Sequence, residues 1–307
     1  MKFTQKLFLS SAILVICLSL LITACQKQGI SATNPANHAN AKMLSVYLTD
    51  DPCQYDSVFI DIRYVEVKID TSTQHIDNDH DGDNDHDGDN DHDDDGLHQD
   101  RYGKWDTLAI RTGVYNIAKL RNGVDTLLGT ANIPAGKLRK IRLTLGTNNS
   151  LEKAGVTYPL SLMPGTNNYV YVKLHDEDED NITPVQSSLW VDFNICESIK
   201  MIGSQYYLKP FLKSFGKDNY GEIKGKVFPA AANAYVTVYN ATDSVMAMPE
   251  NDDDEYDGKY EIEGLRQGTY SVTLRGSAGL GYKDTTISNI QVLNGQETRI
   301  PTITLHK

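Results

Sequence analysis

The residues with the most chemical potential lie in one short run. From Asp77 to Asp95 the chain carries eleven aspartates and no lysine or arginine. The unit Asp77-Asn-Asp-His-Asp-Gly82 repeats as Asp83 to Gly88 and starts again at Asp89. Alternate aspartates followed by glycine gather carboxylates in a tight turn, the first half of a calcium-binding loop. The candidate ligands are Asp77, Asp79, Asp81, Asp83, Asp85, Asp87, Asp89, Asp91, Asp93 and Asp94. In a loop begun at Asp83, the first-half ligands are Asp83, Asp85 and Asp87, with Gly88 at the sharp turn. Asp94 then takes the twelfth position, where the longer glutamate is usual. His80, His86, His92 and His98 recur every six residues. That spacing sets no coordination geometry for a transition metal, and the surrounding ligands are hard oxygens.

Against calcium stands a simpler reading, in which the repeat is a solvated loop between a strand ending at Ile69 and one containing Trp105. Such a loop is cheap to lengthen. The repeat resembles the aspartate-rich calcium repeats of extracellular proteins only in its DxDxDG core. No flanking helices of an EF-hand accompany it, and the residues lean slightly toward the solvated loop.

The run also accounts for the net charge. The 307 residues sum to −12, and without Asp77 to Asp95 the chain is close to neutral. No basic patch offsets the run, so a nucleic-acid partner is not expected. There is no HExxH, no nucleophile elbow and no phosphate-cradling glycine loop. The sequence therefore points to a non-enzymatic protein. A pair of hydrolytic carboxylates would need no fixed spacing, and the sequence singles none out.

The amino terminus and the cysteines locate the protein. Lys2 and Lys6 precede an apolar run from Leu7 to Ile22, which ends in Leu21-Ile-Thr-Ala-Cys25. This resembles the bacterial lipobox, which implies a signal peptide over 1–24 and a diacylglyceryl group on Cys25. The competing reading is an uncleaved membrane-spanning helix. Lipidation makes the membrane a partner through the anchor and places the chain in the cell envelope, at the outer membrane, with its face undecided. Gln-Lys-Gln after Cys25 lacks an acidic pair associated with surface export. Cys53 and Cys196 then remain in an oxidising compartment, where a disulfide is expected. It would close a loop worth about 4–5 kcal/mol in the chain-entropy model.

These groups are positioned by a chain that reads almost entirely as strand. Residues 25–42 are small and polar, a tether. Val58, Ile60, Ile62 and Tyr64 alternate, and Val65, Val67 and Ile69 continue in the opposite phase, which predicts a β-bulge near Tyr64. Ile141, Leu143 and Leu145 alternate too, and residues 169–174 and 189–193 are further strands. Cys196 to Ile202 suits one helical turn. A boundary falls at Phe215 to Tyr220. Beyond it, Tyr260 and Ile262 followed by Gly264-Leu-Arg-Gln-Gly268 and then Tyr270, Val272 and Leu274 predict a hairpin. Thr298 to Leu305 reads as one closing strand. Trp105 and Trp190, and tyrosines such as Tyr260 and Tyr270, are expected to pack rather than to form sugar platforms.

Two resemblances complete the reading. Val46-Tyr-Leu-Thr-Asp-Asp-Pro52, Tyr55-Asp-Ser-Val58, Gly113-Val-Tyr-Asn116, Leu120 to Leu128, Ile133-Pro-Ala-Gly136 and Tyr207-Leu-Lys-Pro210 make residues 43–215 similar to a bacterial lipoprotein family named domain of unknown function 4382. That family brings no activity with it. Gly225-Lys-Val227, Gly258-Lys-Tyr-Glu-Ile262, Gly264-Leu265 and Gly268-Thr-Tyr270 make residues 220–307 similar to the carboxypeptidase regulatory-like domain, which implies a transthyretin-type sandwich. The expected protein is all-β, two β-sandwich-like domains in tandem. It would be a lipid-anchored binding or assembly module with a glycan or an envelope protein as partner. The alternative is a calcium-dependent adhesion or carbohydrate-binding lipoprotein that uses the Asp-rich insert.

Overall fold

The computed structural model describes residues 41–71, 103–174, 188–250 and 257–307. The lipobox with Cys25 and the calcium candidates from Asp77 to Asp94 lie outside the described residues.

The fold is all-β and sandwich-like, as the alternating patterns require. Fourteen strands precede Phe215 among the described residues: β1 (Lys42–Thr49), β2 (Ser57–Asp70), β3 (Lys104–Thr107), β4 (Ala109–Ile110), β5 (Gly113–Asn116), β6 (Thr126–Ile133), β7 (Lys137–Leu145), β8 (Ser150–Lys153), β9 (Val156–Leu162), β10 (Tyr169–Val172), β11 (Ser188–Phe193), β12 (Ile199–Ile202), β13 (Gln205–Leu208) and β14 (Leu212–Phe215). They form a five-stranded sheet in the order β14-β11-β1-β6-β4, in which β1 and β11 run parallel. A nine-stranded sheet in the order β10-β7-β2-β8-β9-β13-β12, with β3 and β5 also paired to β2, faces it. One apolar cluster lies between the sheets, with Val46, Ile60, Val67, Leu143, Val191 and Phe193 all fully buried.

The long strand β2 changes phase where its sequence does. Its register against β7 slips between Ile62 and Tyr64, so Val65, Val67 and Ile69 turn to the core while Tyr64 is exposed. An extra residue in a pleated strand reverses every side chain after it.

A second set of strands follows: β15 (Gly221–Phe228), β16 (Tyr235–Tyr239), β17 (Ser244–Ala247), β18 (Lys259–Leu265), β19 (Gly268–Arg275), β20 (Thr285–Val292), β21 (Glu297–Arg299) and β22 (Ile303–Thr304). One sheet has β18, β21 and β22 paired to β15; the other runs β17-β16-β19-β20. Their own core includes Ile223, Val236, Tyr260 and Tyr270.

Two expectations fail here. Strands β18 and β19 are not a hairpin: β18 pairs with β15, whereas β19 pairs with β16 and β20. Arg266-Gln267 carry the chain from one sheet to the other. Both strands bury one face against the same core, so alternation alone cannot tell a hairpin from a sheet-to-sheet crossover. The closing strand is also divided, because Pro301 between β21 and β22 has no N–H for the ladder.

A disulfide joins Cys53 to Cys196, with Cα atoms 5.2 Å apart and 143 residues of separation. It ties the loop after β1 to the single helical turn α1 (Ile195–Ser198) after β11. The Asn194 side chain caps that turn by accepting from the Glu197 N–H. Replacing both cysteines with serine is expected to remove about 2–4 kcal/mol of stability. Equilibrium denaturation under oxidising conditions measures it, and an unchanged midpoint would contradict the expectation.

Candidate functional site

The five-stranded sheet buries one face in the first core and part of the other against the second sandwich. Along β11, Leu189, Val191 and Phe193 point into the first core, so Trp190 and Asp192 point the other way. The matching outward residues are Tyr47 and Thr49 on β1 and Lys213 and Phe215 on β14, set by the registers Tyr47 with Trp190, Asp192 with Lys213, and Trp190 with Phe215. The second sandwich covers this outward face.

An aromatic stack forms one half of the seam. Trp190 stacks on Tyr47 at 5.0 Å and on Phe215 at 6.3 Å, and Phe215 meets Tyr220 edge-on. The Trp190 indole N–H donates to Asp125 at 2.6 Å, and the Lys217 ammonium sits 4.7 Å from its ring. Lys217 also bonds Glu263 of the second sandwich at 2.7 Å. Gly264, at φ +70°, lies against Phe215, where a β-carbon would come within 2.9 Å of the ring. The Asn122 amide donates to the Met248 carbonyl and accepts from the Glu261 N–H, which closes the other side.

Carboxylates form the second half. The Asp51 N–H donates to Asp192 at 2.9 Å, and the Asn194 amide donates to the Asp51 carboxylate at 3.2 Å. Asp50 is 6% exposed, and its carboxylate makes no well-formed hydrogen bond, with the Ile195 backbone N–H its nearest donor. Burial, reinforced by Asp192 and Asp51, raises the Asp50 carboxyl well above its ordinary range, against a weaker opposing pull from the Ile195 amide and Arg121. Burial pushes Asp51 up to about 6, opposed by its bonding to Asp192 and by Lys213. Asp192 is raised well above the ordinary range by burial and then by Asp51. Burial works against the Lys213 ammonium, but Asp243, Asp51 and Asp192 outweigh it and hold its pKa up. Asp51 and Asp192 therefore titrate as a pair.

The inner end of this cluster faces a cavity of about 20 Å³ walled by both sandwiches, with Asp50, Asp51 and Asp192 on one side and Glu261 and Glu263 on the other. Lys213, which acts on Asp51 and Asp192, also lines a cleft of about 650 Å³. Lys173, Glu197 and Lys213 line it from the first sandwich, and Asn240, Asp243 and Arg266 from the second. Lys213 reaches Asp243 at 3.5 Å across it.

Among the described residues, the carboxylates gathered closely enough to share one ion are Glu222, Glu261 and Glu263, with oxygens within 4.8 Å of one another. Lys224 reaches Glu261 at 3.0 Å and Glu222 at 3.3 Å, and Lys217 holds Glu263. Ammonium groups already neutralise that trio.

The seam was not singled out in the sequence. Asp50, Asp51 and Asp192 carried no site signal, although an aspartate alternating with Trp190 inside an otherwise apolar strand was the available clue. Trp190 packs, as expected, and Tyr260 and Tyr270 are core residues. Trp105 lies on the outer face of β3, its ring 4.5 Å below the Arg142 guanidinium and stacked on Tyr171.

These features define an all-β protein of sandwich type with a charged seam. The family described as Domain of unknown function (DUF4382) matches residues 42–210, and the chain belongs to that family. No curated protein matches it in sequence. Among solved structures, it aligns with the Bacillus anthracis TIE protein at 10% identity and TM-score 0.20, over 87% of this chain and 35% of that one. GBS52, the minor pilin of the Gram-positive pathogen Streptococcus agalactiae, aligns at 11% identity and TM-score 0.20, over 86% of this chain and 96% of that one. BcpA, the major pilin subunit of Bacillus cereus, aligns at 11% and 0.20, over 87% and 70%. This chain thus spans about a third of the TIE protein, and likenesses this low carry no functional argument.

The seam makes stability depend on pH. A carboxyl whose folded pKa is raised favours the native state below its unfolded value and loses that contribution as pH rises through the folded value. For Asp51 the window runs from its ordinary 3.8 to about 6. The wild type should therefore lose stability between about pH 4 and about pH 6, with this contribution gone above the folded value. An Asp51→Asn, Asp192→Asn double variant should lose less. Parallel denaturation midpoints for the two proteins across that range would refute the assignment.

Proposed function

We propose that the chain is a non-enzymatic, lipid-anchored envelope module that captures a polar ligand or partner in the interdomain cleft. The supporting observation is the cleft itself. Its volume of about 650 Å³ falls within the range of small-molecule sites, roughly 300–1,000 Å³. Charged and amide side chains from two sandwiches converge on it. Such a lining suits a hydroxyl-rich or zwitterionic ligand, such as a saccharide or a peptide end, better than an apolar one. The carboxylates most able to do acid–base chemistry, Asp51 and Asp192, are engaged with backbone and amide groups behind the cleft wall, which favours binding over catalysis. Anchoring at Cys25 would hold this cleft at a membrane of the envelope. A second reading, calcium-dependent adhesion through Asp77 to Asp94, rests on the sequence repeat.

A panel of envelope saccharides and cell-wall peptides screened against the whole protein tests the first reading. Ala241 lines the cleft and is exposed, so Ala241→Trp should fill it without disturbing either core. A ligand that loses at least about tenfold in affinity in that variant, about 1.4 kcal/mol, supports the site. A uniformly silent panel, or a ligand indifferent to the tryptophan, counts against it. Separately, Cys25→Ala should release the protein from membranes, and continued retention would favour a spanning leader.

A further inference from the structure

We propose that Asn122 is a site of self-deamidation, and that this reaction and the docking of the two sandwiches control each other. Docking holds the amide away from its nucleophile, and loss of the amide unlatches the seam. This covalent site is independent of ligand capture in the cleft.

The seam itself brings the reactive pair together. Arg121 to Val124 form a turn closed by the Val124 N–H on the Arg121 carbonyl at 3.2 Å, with Asn122 at φ +55° and Gly123 at φ +76°. Two successive positive φ values are the type I′ pattern, which favours Asn-Gly. The glycine is required a second time, because a β-carbon at residue 123 would come within 2.6 Å of the Glu261 carboxylate. Asparagine serves as the latch: its amide donates to the Met248 carbonyl at 2.9 Å and accepts from the Glu261 N–H at 3.3 Å. Asn-Gly is also the dipeptide whose second nitrogen, with no side chain beside it, most easily reaches the amide carbon before it.

In the reaction, the Gly123 nitrogen loses its proton and bonds to the Asn122 side-chain carbon, and ammonia leaves. Water then opens the five-membered imide to aspartate or isoaspartate. The nucleophile is available, since among the described residues the Gly123 N–H has no hydrogen-bond partner. The amide carbon is not. Both bonds to the second sandwich must break before the side chain can fold back onto its own backbone. The other Asn-Gly pair, Asn294-Gly295, is the reverse case. Asn294 is exposed, whereas the Gly295 N–H is held by the Tyr220 carbonyl at 3.0 Å. Asn122 is therefore the pair whose rate reads the seam.

The product fits the seam poorly. The Glu261 N–H can still bond a carboxylate, but the Met248 carbonyl loses its donor. The new charge falls on the small cavity already lined by Asp50, Asp51, Asp192, Glu261 and Glu263, where a further negative charge is costly. Lys224, which lines the adjoining surface with Asn122, already serves Glu222, Glu261 and Glu297. Isoaspartate also adds a carbon to the backbone of the turn. Either product disfavours redocking.

The full chain is incubated at neutral pH and mapped by peptide mass spectrometry, which separates Asn122 from Asn294. Ammonia loss at Asn122 should be at least about tenfold slower in the folded protein than in concentrated urea. Equal rates in the two states overturn the proposal, as does the absence of reaction in urea. Hydrogen exchange of the Glu261 N–H reports opening of the latch. Lys217→Ala, which removes a seam contact made outside the turn, should raise this exchange and the Asn122 rate together. If that variant does not fold, the wild type in graded sub-denaturing urea is read the same way. Faster exchange without faster ammonia loss sinks the gating. Asn122→Asp, the product without the reaction, should speed exchange of the Trp190 indole N–H at least about threefold. Unchanged exchange there sinks the unlatching.

Discussion

Burial of the Asp50, Asp51 and Asp192 carboxylates, with Lys213 as their nearest ammonium, is the constraint around which the molecule is arranged. Charges removed from water must be paired, bonded or neutralised, and each neighbouring feature answers that need in part. The Asp51 backbone N–H reaches Asp192, the Asn194 amide reaches Asp51, and Lys213 lies between this pair and Asp243 of the second sandwich. The disulfide from Cys53 to Cys196 holds the same two loops together. It adds to the β1–β11 pairing, which already sets Thr49 opposite Asp192.

The second sandwich completes the burial. A five-stranded sheet with one open face would show Tyr47, Trp190 and Phe215 to water, an apolar patch of the kind that marks an interaction site. Here it is covered internally, with Gly264 allowing the backbone close to Phe215 and Lys217 linking Trp190, Asp125 and Glu263. The aromatic half of the seam supplies area, and the ionic half supplies register. A slip along the seam would strand Lys213 or Lys217 away from its carboxylates. The pairing thus selects one docking geometry even where its net contribution to stability is small.

Much of the fold was legible in the sequence because strand patterns report burial. The phase change at Tyr64, the strands around Ile141, Tyr169 and Trp190, and the one-turn helix near Cys196 all follow from local periodicity or turn chemistry. What was not legible depends on which surfaces meet. Tyr260, Ile262, Tyr270 and Val272 alternate identically whether their strands pair or face each other across a core, so the crossover at Arg266-Gln267 read as a hairpin. Asp192 looked like an ordinary outward residue of a half-buried strand, because nothing within β11 records that a second sandwich lies on that side. The conspicuous repeat from Asp77 to Asp95 drew attention by count, whereas the seam concentrates fewer carboxylates where water is excluded.

That contrast bears on how acidic residues should be weighed. Eleven aspartates in nineteen residues fall within a Debye length of one another, so their repulsion is limited by gathered counterions and not by distance. Asp50 and Asp192, each under a tenth exposed, are removed from most of the solvent, so each of their charges costs more than its count suggests. Charge per residue in the sequence and electrostatic cost in the structure are therefore different quantities. The seam concentrates burial on the smaller number of groups, so the pH dependence argued for Asp51 is to be sought where the two sandwiches meet.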